Sequence, residues 1–403
     1  MFLVLNAGSS SLKFSLFEAP AGDGGDPALL RRGQIESLFT GAQFVARDGA
    51  GTKLDEKRWP PGATLGHDAA TAFLLDWIAG AAGGRTLLAC GHRVVHGGRD
   101  FARPVRIDDA VLARLDALSP LAPLHQPHNL SPIRAVARAV PGLPQVACFD
   151  TAFHRTLPWE AQTFAIPRRL TEQGIIRYGF HGLSYEYVAA TMAALDPAAR
   201  RLVVAHLGNG ASLCAIEATS ARPGRSIDTT MGFTPIDGVP MGTRSGALDP
   251  GVILHLVNRG GMTGAEVERM LLHESGLLGV SGVSSDMRTL RAAAATADPH
   301  AAQAIRLFAY RIVQAIGALA ASLRGLDALV FTAGIGENDA SLRAEVCGAL
   351  DWLGIRLDES ANANGAGDRP GVRISLPGTA SAWIVPTNEE LMIARHTRDV
   401  LAG

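Results

Sequence analysis

Arg93 in "GHRVVHGG" and Arg244 in "MGTRSG" each sit among small or apolar residues, where a ligand could approach a guanidinium closely. A guanidinium offers a planar fork of donors that matches a carboxylate or a phosphoryl group. A structural ion pair uses the same side chain, so either arginine alone leaves both readings open. Asp150 follows the apolar run "QVACF", a common place for an active-site carboxylate in an open α/β sheet and equally a capping position. His181, in "YGFHG", reads by itself as a satisfied core histidine or as a donor to a ligand. His92 and His96 have the HxxxH spacing of a zinc helix, but the acidic residue is missing and two glycines follow at once, so zinc is not expected. His125 and His128, in "PLHQPHN", fall in a Pro-rich loop and read as structural.

A second set of residues suits phosphate. "FLVLNAGSSSLKFSLFE", residues 2–18, is an apolar strand, a turn of Gly and Ser, one lysine and a second apolar strand. Such a turn lets backbone N–H groups come close to an anion; Ser9 and Ser11 would add hydroxyl donors and Lys13 a positive charge. "RLVVAHLGNGASLCAIE", residues 201–217, repeats the grammar half a chain later, and "FTAGIGEN" (331–338) is a third glycine loop after a strand. Any one of these could be an ordinary hairpin turn; together they favour nucleotide binding. Neither GxxxxGK[ST] nor a Rossmann GxGxxG is present, which disfavours both of those nucleotide folds.

These residues need a scaffold, and the chain has the length for two domains at 403 residues. Strand-like runs ("MFLVL", "KFSLFE", "LLAC", "QVACF", "RLVVAHL", "SLCAIE", "DALVFTA", "SAWIVP") alternate with helical patterns ("DDAVLARLDALSPL", "LSPIRAVARAV", "SYEYVAATMAAL", "AEVERMLLHES"). That is the signature of an α/β architecture with largely buried sheets, and the repeated hairpin points to a duplicated domain with a cleft between the copies. "APAGDGGDPA" and "ANANGAGDRPG" read as flexible surface loops without chemistry. A domain change is expected near residue 150. Hydrophobic residues make up 47% and charged residues 19%, with a net charge of −1, which gives no electrostatic support to a nucleic-acid or membrane partner. The four scattered cysteines read as buried thiols of a cytoplasmic protein, and the N-terminus lacks the basic region of a signal peptide. The most apolar helix, around residues 305–324, carries Ile305, Phe308, Ile312, Ile316, Leu319 and Leu323 on one stripe with Arg306, Arg311 and Gln314 elsewhere, so it reads as a core helix.

"NAGSSSLKF", "GHRVVHGG", "FDTAFH", "YGFHGLS", "HLGNGAS", "MGTRSGALDPG", "FTAGIGEN" and "VPTNEEL", in that order from residue 6 to residue 391, resemble the acetate kinase family of the acetate and sugar kinase/Hsc70/actin superfamily. The resemblance implies two duplicated actin-like, ribonuclease H-like ATPase domains, one built from 1–150 plus 387–403 and one from 151–386, with the ATP site in the cleft between them. It implies reversible, direct in-line phosphoryl transfer from ATP to acetate, giving acetyl phosphate and ADP. Mg²⁺ is the implied cofactor, Mn²⁺ can substitute, and a homodimer is the implied assembly. The rival expectation, an ATP-switched module such as a chaperone ATPase, has no need of two acceptor-side arginines.

By resemblance, Arg93 clamps the substrate carboxylate or the moving phosphoryl group, Arg244 is the second arginine, and His181 donates to the transferring group. Asp150 is catalytic, but a carboxylate nucleophile with a pKa near about 4.3 is already ionised at neutral pH, so Asp150 is expected to place Mg²⁺ and its waters and not to act as a base. Asn6 and Glu389 are the implied metal ligands, with hard oxygen donors suited to Mg²⁺. Lys13, Ser9 and Ser11 would meet phosphates, and His206, Leu207, Gly208, Asn209 and Gly210 would form the second phosphate loop. Asp286, Met287 and Arg288, with Gly334, Ile335, Gly336, Glu337 and Asn338, would hold adenosine. Val95, Leu124, Phe180 and Pro235 would form the pocket for the substrate methyl group, and a valine at 95 favours the smaller acid. "HQPHN" departs from the Asn-Pro-Pro that more often follows this histidine, which bears on the loop after Leu124. Removing either arginine is expected to lower turnover and leave the fold intact.

Overall fold

The computed structural model describes residues 1–20, 25–122, 125–219 and 222–403. The chain divides into two compact units, Met1–Phe153 with Asn388–Gly403, and His154–Thr387. Leu124 lies outside the described residues.

In the first unit β1 (Phe2–Ala7) and β2 (Leu12–Glu18) form the opening hairpin, followed by β3 (Ala28–Glu36), β4 (Gln43–Asp48), β5 (Lys53–Arg58), β6 (Ala89–Val94), β7 (Val105–Arg106) and β8 (Gln145–Phe149). They make one eight-stranded sheet in the order β5-β4-β3-β2-β1-β6-β8-β7. β1 is almost wholly buried because it is central, whereas the edge strand β5, "KLDEKR", is exposed at every position. A charged, short edge discourages pairing with other chains. Phe14, Phe44, Phe73, Trp59 and Trp77 form an aromatic cluster on this sheet, with ring centroids 5.0–6.1 Å apart.

The second unit contains β9 (Arg201–Leu207), β10 (Ala211–Thr219), β11 (Arg222–Thr229), β12 (Ala328–Thr332), β13 (Val372–Arg373) and β14 (Ser381–Ile384), in the order β11-β10-β9-β12-β14-β13. The duplication is visible in the pairing. β1 and β9 each pair antiparallel with the next strand, which pairs antiparallel with a third. Each also pairs parallel with a fourth strand, β6 or β12, which pairs parallel with a fifth, β8 or β14. A short antiparallel strand closes both sheets, β7 on β8 and β13 on β14.

The two hairpins also match in register. Asn6 faces Lys13 and Ala7 faces Leu12 before the Gly8–Ser11 turn. His206 faces Ser212 and Leu207 faces Ala211 before the 208–210 turn. The polar pair therefore occupies the same rung of both copies.

The C-terminal helix Glu389–Ala402 returns to the first unit and packs on β1, β6 and β8. Gly91 of β6 makes that approach possible: a Cβ there would lie 2.3 Å from Thr397 Oγ1 and 2.6 Å from an Ile393 methyl. In the second unit the helix Pro299–Ser322 buries Ile305, Phe308, Ile312, Ile316, Leu319 and the following Leu323, as the stripe requires.

Three local expectations change. "PLHQPHN" is not all loop: Gln126–Ala139 is helical, so His128 lies in its first turn, where Pro127 is tolerated because that N–H has no helical partner. "FTAGIGEN" is not a loop after its strand but a short helix, Ala333–Asn338. "ANANGAGDRPG" begins with the helix Glu359–Asn364, and Asn362 is buried.

Candidate active site

In the first unit, β6 delivers Arg93, the end of β8 delivers Asp150, and the first turn of the C-terminal helix delivers Glu389. Arg93 Nε and Nη2 donate to Asp150 Oδ1 and Oδ2 at 3.0 and 2.7 Å, a bidentate pair. Its Nη1 meets Glu389 Oε2 at 3.1 Å. Asp150 is buried beside β6 because its backbone N–H continues the ladder to Val94 O. Burial pulls the Arg93 guanidinium down, but the two carboxylates outweigh it and hold it above its ordinary range. Burial, with Asp150 adding repulsion against the pull of Arg93, pushes the Glu389 carboxyl up to about 7. One guanidinium faces two buried carboxylates, and of these Glu389 is only partly ionised near neutral pH.

Asn6 is half-buried on β1 and Lys13 is exposed opposite it. The Lys13 charge reaches Glu389. Gly8 N–H donates to Ser11 O to close the turn, and His67 Nε2 contacts Gly8 O at 2.7 Å. Asn129 ties the Val95 N–H to Ala7 O through bonds of 2.9 and 2.8 Å, and Gln126 bonds both the N–H and the carbonyl of His96. The first turn of the 126–139 helix thus braces the backbone around Val95.

In the second unit His181 has φ +60, a left-handed conformation uncommon without glycine, at the N-terminus of the helix Gly182–Leu195. Its ring stacks on His206 with centroids 4.2 Å apart and planes 17° apart. A Cβ on Gly210 would lie 3.4 Å from His181 Nε2 and 3.6 Å from Arg244 Nη2, so imidazole, guanidinium and glycine turn share one small space. Arg244 Nη1 donates to Pro235 O at 2.9 Å, and no described acidic residue pairs with this guanidinium. Burial alone lowers its pKa. An uncompensated, half-buried cation beside a glycine turn is built for an anion.

A cavity of about 1200 Å³ adjoins the turn. Gly208 and Asn209 form one wall, Asp286, Met287 and Arg288 a second, and Gly334, Ile335 and Asn338 a third. Gly336 and Glu337, expected on this wall, do not line it. Glu337 folds back to accept from Ala333 N–H and Thr387 N–H, and the Gly336 carbonyl accepts from Arg343, which also grips Asn362. His206, Leu207 and Gly210 are likewise off the cavity wall, with Leu207 fully buried. Arg288 spends its guanidinium on Asp286 at 2.6 Å. Sequence reasoning missed Ser285, Arg291, Asp339 and Ser341, which also line the cavity. Of the methyl-pocket residues, Val95 belongs to the first unit and Phe180 and Pro235 to the second. Among the described residues no group of three His, Cys, Asp or Glu could hold a metal by itself.

His154 is another residue the sequence did not single out. It is fully buried, contacting Ser226 Oγ at 2.8 Å and the Phe180 carbonyl at 2.9 Å, so it holds the residue before His181. Burial pulls its pKa down to about 4. The unfolded chain takes up this proton near pH 6.5 and the folded one only near 4, so stability present above 6.5 is lost as the pH falls through that window. The shift corresponds to about 3 kcal/mol. The urea midpoint of the wild type should fall more steeply than that of His154→Gln between pH 7.5 and 4.5; parallel profiles would refute the assignment.

A sequence model described as the acetokinase family matches residues 1–395. The chain is 53% identical over 402 residues to the acetate kinase of Rhodopseudomonas palustris, covering 98% of this chain and 97% of that one. Among solved structures, acetate kinase of Porphyromonas gingivalis superposes with a TM-score of 0.87 at 38% identity, and a propionate kinase of Francisella tularensis with 0.89 at 37%. Each comparison covers 99% of both chains.

Proposed function

This chain belongs to the acetokinase family, and from that premise we propose that it is an acetate kinase, transferring the γ-phosphoryl group of ATP reversibly to acetate to give acetyl phosphate and ADP. Its fold is the duplicated actin-like ATPase fold of the kinases it superposes on. The observation that carries the reading is the pairing of Arg244 and His181 over Gly210, in the turn whose Gly208 and Asn209 line the large cavity. ATP would place its adenosine in the cavity and its phosphates along the glycine turn, where Arg244 and His181 would meet charge spreading over the transferring group.

Phosphoryl transfer asks the protein mainly for positioning and charge neutralisation. The acceptor carboxylate arrives ionised, so in-line attack needs no general base. Asp150, Glu389 and Asn6 supply hard oxygen donors, and two carboxylates against one guanidinium leave room for a divalent cation; these residues would hold Mg²⁺, with Mn²⁺ able to substitute. Held there, such an ion would supply positive charge to the phosphate groups of ATP. Arg93, already spanned by two carboxylates, would orient the acceptor side and anchor the carboxylates in place. Val95 would contribute to a pocket that prefers acetate over propionate by about 1–3 kcal/mol, the worth of one methylene.

Self-association as a homodimer is supported by the helix Pro250–Asn258, which buries no side chain and exposes Val252, Leu254 and Val257 beside the exposed Leu248. A cytoplasmic setting is supported by four buried free thiols.

The test is to incubate the protein with MgATP, a short-chain acid and hydroxylamine. Acyl hydroxamate should form fastest with acetate and stop when EDTA removes the metal. ATP turnover without hydroxamate for acetate, propionate and butyrate would overturn the reading.

A further inference from the structure

Behind the two stacked imidazoles lie two short chains of hydroxyl groups that take no direct part in phosphoryl transfer. Ser212, on the strand partnering His206, places Oγ 2.8 Å from His181 Nδ1. The Tyr185 hydroxyl lies 2.5 Å from the same Oγ. The second chain has the same form: Ser184 Oγ is 2.8 Å from His206 Nδ1, and Thr387 Oγ1 donates to Ser184 Oγ at 2.8 Å. Tyr185, Ser212 and Ser184 are fully buried.

The direction of the first chain is fixed by its far end. Among the described residues Ser212 Oγ is the hydrogen-bond partner of the Tyr185 hydroxyl, and a buried phenol whose proton found no acceptor would be costly. Burial also holds that phenol well above its ordinary range, so it stays an O–H donor. With Tyr185 donating to Ser212 Oγ, the serine proton is left to point at His181 Nδ1. A nitrogen that accepts there cannot carry the ring proton. In the second chain the half-buried Thr387 donates to Ser184 Oγ, which leaves the Ser184 proton to point at His206 Nδ1.

We propose that Tyr185–Ser212 and Thr387–Ser184 are positioning pairs that lock His181 and His206 as the tautomers protonated on Nε2. The consequence is electrostatic and rests on the kinase reading above. His181 Nε2 and Arg244 Nη2 both border the space over Gly210, and His206 Nε2 lies 4.0 Å from where a Cβ on Gly208 would be. As Nε2–H donors, both rings add attraction to an anion held by the turn. The other tautomer would turn a lone pair on the same oxygens and repel them, without any change of shape.

The experiment is ¹⁵N NMR of the full chain labelled in the histidine rings, with the His181 and His206 signals assigned by their loss in His181→Gln and His206→Gln. The wild-type spectrum should show Nε2 protonated and Nδ1 bare at both. Ser212→Ala should give a mixture of tautomers at His181 and leave His206 unchanged; Tyr185→Phe should do so more weakly. In the hydroxamate assay Ser212→Ala should lose about 10- to 100-fold in kcat, with the KM for acetate little changed and most activity recovered in Ser212→Thr. A wild-type His181 protonated on Nδ1, or a tautomer indifferent to both substitutions, would overturn the proposal. A wild type that made no hydroxamate would sink the kinase reading instead, and the spectra would still decide the tautomer.

Discussion

Replacing Arg244 with alanine should lower kcat by about 10²–10³-fold, the loss typical of removing one preorganised donor at a charge-developing centre. The fold should survive. The guanidinium's described hydrogen bond is to the Pro235 carbonyl, and no described acidic side chain is left behind unpaired. Thermal midpoints of variant and wild type should therefore agree closely while initial rates diverge. Arg244→Lys should recover only part of the rate, because an ammonium supplies charge without the planar fork that grips two oxygens. The measurement is hydroxamate formation at saturating MgATP and acetate. A kcat within a few-fold of wild type would remove Arg244 from the mechanism.

Arg93→Ala should fail differently, and here the structure corrects the expectation that both arginines can be removed without harm to the fold. Arg93 is the cation paired with both Asp150 and Glu389, which are buried. Removing one partner of a buried ionic cluster leaves uncompensated charge and typically costs about 3–5 kcal/mol. Two carboxylates without their cation would hold on to protons more strongly. The folded state then binds protons that the unfolded state has already released, and stability falls as pH rises. The drop in thermal midpoint should accordingly be larger at pH 8 than at pH 5. Arg93→Met combined with Asp150→Asn and Glu389→Gln should regain much of the stability and none of the activity. A single alanine variant as stable as wild type at pH 8 would show that the carboxylates are solvated and that the ion cluster carries no structural weight.

The two substitutions separate because of something one-dimensional reading could not see. "GHRVVHGG" and "MGTRSG" look alike as small-residue settings for an arginine. Arg93 meets carboxylates 57 positions away just past β8 and far beyond on the C-terminal helix, whereas Arg244 meets a backbone carbonyl nine positions away. Partners that distant are chosen by strand order and helix docking, and no local pattern encodes them.

What the sequence determined by itself was the local grammar: alternating and continuous apolar runs that had to be strands, the helical stripe from Ile305 to Leu323, and two hairpins that each join an apolar strand to a second strand through a turn of Gly and small polar residues. Period and composition act within a few residues, so they are legible in a line of letters. Short segments rich in Gly, Pro and Asn were harder, because the helical turns in "GIGEN", "HQPHN" and "ANAN" are held by contacts with distant parts of the chain: Glu337 accepting from the Thr387 N–H, Asn129 and Gln126 gripping the backbone of Val95 and His96, and Asn362 receiving Arg343. Only the tertiary structure decided which charges neutralise one another, which residues line the cavity, and which hydroxyls stand behind His181 and His206. Those are properties of atoms brought within about 3 Å of each other by burial, and hydrogen-bond energy falls away too steeply with distance and angle for sequence spacing to stand in for it.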